Sequence, residues 1–168
     1  MKENRTQDIQ LIKLALQVEK DGLHFLERFS ERSGESPLTL FLQQIQEDTK
    51  TDLESFEALL GSLETVQNAE NIEDISLDDY VKGLQKTRSE KFYPTSKVSE
   101  LFSKHYNPIR ILGFYADTLN ELADFYSSSA GDIFYENEKK FFLKIASKKK
   151  DQADDINKKK KEIISRFP

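Results

Sequence analysis

The sequence predicts an all-α protein made of two long helical hairpins joined by a long crossover. Three observations carry this. Charged residues make up 33% of the 168 and hydrophobic ones 37%, with only six Gly and four Pro. That composition suits helices packed side by side better than a sandwich or barrel. Apolar residues recur in a 4-3 rhythm over four long stretches. Two of those stretches open on a capping residue followed by proline, at Ser36-Pro37 and Asn107-Pro108.

The elements follow in order. The first helix is expected over about residues 6–32. Ile12, Ala15, Gly22, Leu26 and Phe29 fall on one face, with Leu11, Leu14, Val18 and Phe25 beside them, and "SGESP" ends it. The second helix runs from Pro37 to about Thr65, with Leu38, Leu42, Ile45, Phe56, Leu59 and Leu63 on its stripe. Residues 66–106 are too many for a tight turn and predict a crossover. Within it "SLDDYVKGL" and "SKVSELF" read as short helices behind a serine, and "KFYPTS" as a loop.

The third helix runs from Asn107-Pro108 to about Ser127, with Leu112, Tyr115, Leu122 and Tyr126 inward and "SSSAG" as its breaker. The fourth begins at about Asp132 or Phe134 and reaches Arg166, with Phe142, Ile145, Ile156 and Ile163 inward. The expectation is a single domain over residues 1–168, with a hairpin at 6–65, a crossover at 66–106 and a hairpin at 107–166. Together they make a four-helix bundle with one crossover. A shift of 100 residues superposes Phe25 on Phe125, Phe41 on Phe141, Ile45 on Ile145 and Lys50 on Lys150, which relates the hairpins loosely.

Composition also narrows function. The chain has 25 basic and 30 acidic residues, a formal charge of −5, which argues against a dedicated nucleic-acid binder. Having no cysteine, it has no disulfide, thiolate zinc site or thiol nucleophile. "MKENRTQDIQ" lacks an apolar signal region, and no stretch approaches the roughly 18 apolar residues of a membrane span. A cytoplasmic protein is expected. His24 and His105 fit no two-histidine metal pattern, and "SSSAG" lacks the glycines and lysine of a phosphate loop. The lysine runs at 148–150 and 158–161 are interrupted by Asp151, Asp154, Asp155 and Glu162, and read as a solvated face. Phe92, Tyr93, Phe102, Tyr106, Phe114 and Tyr115 cluster around the crossover. Packing of the crossover on the bundle is the first reading, and a dimer or partner interface the alternative.

The stripes carry polar residues where apolar ones belong. Glu19 interrupts the first helix, Thr49 and Asp52 the second, and Lys149 and Gln152 the fourth, while the corresponding position of the third is Leu119. All lie near mid-helix, which places them at one level of the bundle. A buried charge is costly unless it is paired or binds a metal. Two answers follow. Glu19 and Asp52 bind a metal, or Lys149 supplies the positive charge while Thr49 and Gln152 complete the hydrogen bonds.

With these residues in view, the chain resembles the ferritin-like superfamily, and within it rubrerythrin-like proteins. Each half of those proteins has a first helix with glutamate followed by roughly K-E/D-G/A-I/L-x-F-Y, and a second with E-x-x-H. "VEKDGLHFLERF" is similar to the first motif, with Glu19 at a ligand position, and "IQEDTKTDLESF" to the second, with Thr49 and Asp52 at its E-x-x-H positions. "TLNELADFYSSS" repeats the first motif with Leu119 in place of glutamate, and "IASKKKDQADD" the second with Lys149 and Gln152. The resemblance implies a ferritin-like four-helix bundle, homodimer formation and a di-iron centre of about four carboxylates and two histidines.

Of the six ligand positions only Glu19 keeps its residue. Leu119 removes a ligand and Lys149 brings a cation. The expectation is therefore a degenerate di-iron site in a metal-free, cofactor-free protein that is not an enzyme. Its role would be structural or protein-interacting, as a homodimer or with a protein partner, without nucleic acid or membrane. One alternative is a metal-binding or oxidative-stress protein with a weak site at Glu19 and Asp52. Another is an adaptor whose basic last helix meets an acidic partner. The hairpin pseudo-symmetry predicts contact between Glu19 and Lys149, with charged groups within about 6 Å.

Overall fold

In the computed structural model, residues 2–69, 90–103 and 105–166 are described, and they contain five helices and no strand. These are α1 (Lys2–Ser33), α2 (Pro37–Ala69), α3 (Thr95–Leu101), α4 (Pro108–Asp132) and α5 (Glu136–Arg166). The all-helical class is the one the sequence predicts. The expected helix over "SLDDYVKGL" lies outside the described residues.

The capping chemistry explains most boundaries. Gly34 follows α1 directly with φ of 64°, a left-handed conformation in which glycine carries no Cβ penalty. Ser36 Oγ then accepts the Thr39 N–H at 3.4 Å, and Pro37 opens α2. Asn107 Oδ1 accepts the Ile109 N–H at 3.0 Å, with Pro108 at the first helical position of α4. The expected serine start of the short helix is corrected. α3 begins one residue earlier, at Thr95, with no side-chain cap from its N-cap residue, Pro94. The Glu90 carboxylate accepts from the Thr95 N–H at 3.3 Å and from its hydroxyl instead.

The break expected at "SSSAG" is also corrected. α4 continues to Asp132, with Ser129 and Ala130 buried in the packing, and α5 starts only at Glu136. Serine ranks in the middle of the helix scale, and tertiary packing overrides so small a preference. The stop comes from outside the segment. Asp8 of α1, fully buried, accepts the Phe134 N–H at 3.0 Å and the Tyr135 N–H at 3.2 Å. It thereby fixes the three-residue link and satisfies amides that α5 leaves open at its start. α1 and α2 extend to Lys2 and Ala69, beyond the expected 6–32 and 37–65. No capping or proline signal marks those outer ends, and helix ends without such signals are the least determined by pattern.

α1 packs along α2 and α4 along α5, and the two hairpins meet through α1 on α4 and α2 on α5. Partners run in opposite directions. As α2 advances from Phe41 through Asp52 to Phe56, its partners on α5 recede from Lys159 through Lys149 to Phe142. One continuous hydrophobic core draws on all five helices. The described end of the crossover belongs to it, with Phe92, Tyr93 and Phe102 buried beside Tyr115 of α4, and Tyr106 and Phe114 packed against the core. Gly22 makes room for this. A Cβ there would stand 2.8 Å from the Tyr93 hydroxyl, closer than side-chain contacts allow.

Candidate functional site

Every polar residue picked out on the stripes is buried. Glu19 is 2% exposed, Thr49 1%, Asp52 3%, Lys149 1% and Gln152 6%, and Leu119 is fully covered. The 4-3 stripe accounts for this, because positions in phase with Leu42 and Ile45, or with Ile145 and Ile156, face the core whatever side chain they carry.

The side chains form one chain of charge-assisted contacts. Lys149 Nζ donates to Glu19 Oε2 at 2.8 Å and to Asp52 Oδ2 at 3.4 Å. Lys148 Nζ donates to the other Asp52 oxygen at 2.7 Å and reaches the Asp48 carbonyl at 3.5 Å. The Tyr126 hydroxyl donates to Glu19 Oε1 at 2.6 Å, within the range of a charge-assisted O–H···O bond. Two carboxylates and two ammonium groups leave no net charge in the cluster. Thr49 donates to the Ile45 carbonyl of its own helix at 2.8 Å. Gln152 completes no hydrogen bond to the cluster, and among the described residues neither its Nε2 nor its Oε1 has a partner.

Pairing fixes the charge state of Lys149. Burial favours the neutral amine, but the carboxylates of Glu19 and Asp52 outweigh it and hold the ammonium above its usual pKa. Burial also raises the phenols of Tyr93, Tyr115 and Tyr126, and the Glu19 charge raises all three further. These raised values act in one direction. Between about pH 10, where unfolded Tyr and Lys release protons, and the higher folded values, the native state binds more protons than the unfolded chain. Their contribution is complete below that pH and is lost as pH rises. Melting temperature is expected to fall steeply above about pH 10, with tyrosinate absorbance appearing together with unfolding. Tyrosinate absorbance well before loss of helical circular dichroism would contradict the burial argument.

Sequence reasoning places Lys149, Glu19 and Asp52 together but misses two participants, Tyr126 and Lys148, and, outside the cluster, the buried Asp8 at the α4–α5 link. Tyr126 is on the stripe, and a buried tyrosine hydroxyl usually finds a partner, so a signal existed. Asp8 lies one turn before Ile12 on the same stripe as Ala15 and Glu19, so extending the rhythm backward reaches it. Lys148 belongs to a run read as solvated, yet its side chain is 32% exposed and its flexible stem brings the ammonium to Asp52. His24, with 81% of its side chain exposed, and His105, also exposed, stand away from the cluster.

The two irons implied by the resemblance do not fit these residues. Such a centre needs carboxylates from several helices and two histidines. Here an ammonium stands between the two carboxylates, and α4 presents Leu119. Among the described residues, no group of three or more His, Asp or Glu side chains is placed to hold a metal ion. No helix among them is long and apolar enough to cross a membrane. Compared with protein-family models, curated proteins and solved structures, the chain matches none.

Proposed function

We propose that this chain is a ferritin-like, rubrerythrin-type four-helix bundle in which an internal salt-bridge network has replaced a di-iron centre. It works as a metal-free, non-catalytic protein with a structural or protein-interaction role. The observation that carries this reading is Lys149. Its ammonium stands 2.8 Å from Glu19 and 3.4 Å from Asp52 and supplies the positive charge that a metal would bring. A divalent ion at the same carboxylates would meet a fixed cation in low dielectric, which disfavours it strongly. The two-hairpin layout and the four motif-like segments support the family reading. Homodimer formation and a cytoplasmic location belong to it as expectations.

Elemental analysis tests this. The untagged protein, produced with added iron, manganese and zinc, is expected to carry less than about a tenth of a metal per chain, far from the stoichiometric loading of a structural or catalytic site. Near-stoichiometric metal that disappears in Glu19→Ala would instead establish the weak site at Glu19 and Asp52. The adaptor reading through α5 has less support, because the exposed side chains of that helix mix Lys140, Lys144, Lys158 and Lys161 with Asp151, Asp154, Asp155 and Glu162.

A further inference from the structure

The network leaves a remainder at Gln152. Its carboxamide is buried, and among the described residues neither Nε2 nor Oε1 has a partner. Each unmet group forfeits the hydrogen bonds it had in water, a penalty that folded proteins rarely leave standing. Lys149 lies one turn away on the same face of α5. Its ammonium has three N–H donors, of which Glu19 and Asp52 take two. The Asp52 carboxylate accepts one bond at each oxygen, which leaves lone pairs to spare. Unused donors and acceptors of both signs therefore gather around one turn of α5. Among the described residues no side chain reaches the Gln152 carboxamide.

We propose that Gln152 marks an internal hydration site, in which an ordered water joins its carboxamide to the Glu19–Lys149–Asp52 network. The ligand class is water and not a metal ion, since the ammonium already balances the carboxylates. Buried waters of this kind make about three hydrogen bonds, and an unused ammonium proton, an amide and a carboxylate lone pair provide that number. The water gives the Gln152 carboxamide a partner at one of its two unmet atoms and ties it to the charged network, which brings the buried polar groups closer to full pairing.

A high-resolution crystal structure of the wild-type chain tests this directly, with water–amide cross-relaxation to the Gln152 side chain in solution as the second readout. The expected result is a density peak at hydrogen-bond distance, about 3 Å, from Oε1 or Nε2, and a cross-peak showing slow exchange with bulk water. Gln152→Met removes the carboxamide at similar volume and strands the water, and is expected to lower the melting temperature by about 2–8 °C. A dry site in the crystal with no cross-peak would overturn the proposal. So would a Gln152→Met variant that melts higher than wild type, because it would show the amide to be unsatisfied in the native state.

Discussion

Lys149→Met is expected to destabilise the protein by about 3–5 kcal/mol, the range for removing one partner of a buried ion pair. The reason lies in what remains. Asp52 keeps Lys148, but Glu19 keeps only the Tyr126 hydroxyl and becomes a buried charge without a cation. Methionine nearly matches the lysine stem in volume, so packing loss contributes little. The corresponding drop in melting temperature is about 6–20 °C for a chain of this size. A combined variant separates pairing from burial. Glu19→Gln with Asp52→Asn and Lys149→Met removes all three charges and is expected to recover most of the loss, since neutral replacements of buried ion pairs are often as stable as the pair. Urea denaturation of wild type, the single variant and the combined variant gives both numbers. A single variant within about 0.5 kcal/mol of wild type, the scatter of ordinary surface changes, would mean that Glu19 is not held as a buried anion by Lys149.

The second large effect falls at Phe25. Its ring meets Phe29, Tyr93, Phe102, Phe114 and Tyr115 at centroid distances of 5.4–6.4 Å, and its residue is 3% exposed. It therefore joins α1, the crossover and α4 through one side chain. Phe25→Ala is expected to cost about 3–5 kcal/mol, combining lost burial with the cavity left among rigid rings. Phe134, 55% exposed in the link between α4 and α5, provides the control, and its alanine variant should change stability by no more than about 0.5 kcal/mol. Equal effects at the two positions in denaturant melts would show that the crossover does not pack on α1 as described.

The two variants probe different kinds of information in the chain. Phe25 and its neighbours were readable as core residues, because a helical repeat specifies which direction each side chain takes from its own axis. The same rule placed Glu19, Thr49, Asp52, Leu119, Lys149 and Gln152 inward. The proline and cap signals at Ser36 and Asn107 located two helix starts, since these act through amides only two or three residues away. The end of α4 was misplaced at the serine run because its stop depends on Asp8, more than 120 residues distant in sequence.

By itself the sequence determined the helical class, the long helices and the list of polar groups that must enter the core. Those properties rest on backbone geometry and on the 3.6-residue period, which are local. Beyond the Glu19–Lys149 contact that hairpin pseudo-symmetry predicts, only the tertiary structure decided who meets whom. Lys148 reaches Asp52, Tyr126 reaches Glu19, Asp8 holds the α4–α5 link, and Gln152 is left without a partner among the side chains. The physical reason is that a stripe orients a side chain about one helix axis. The partner it meets depends on the axial offset and rotation of another helix, and these are set by the packing of the whole core.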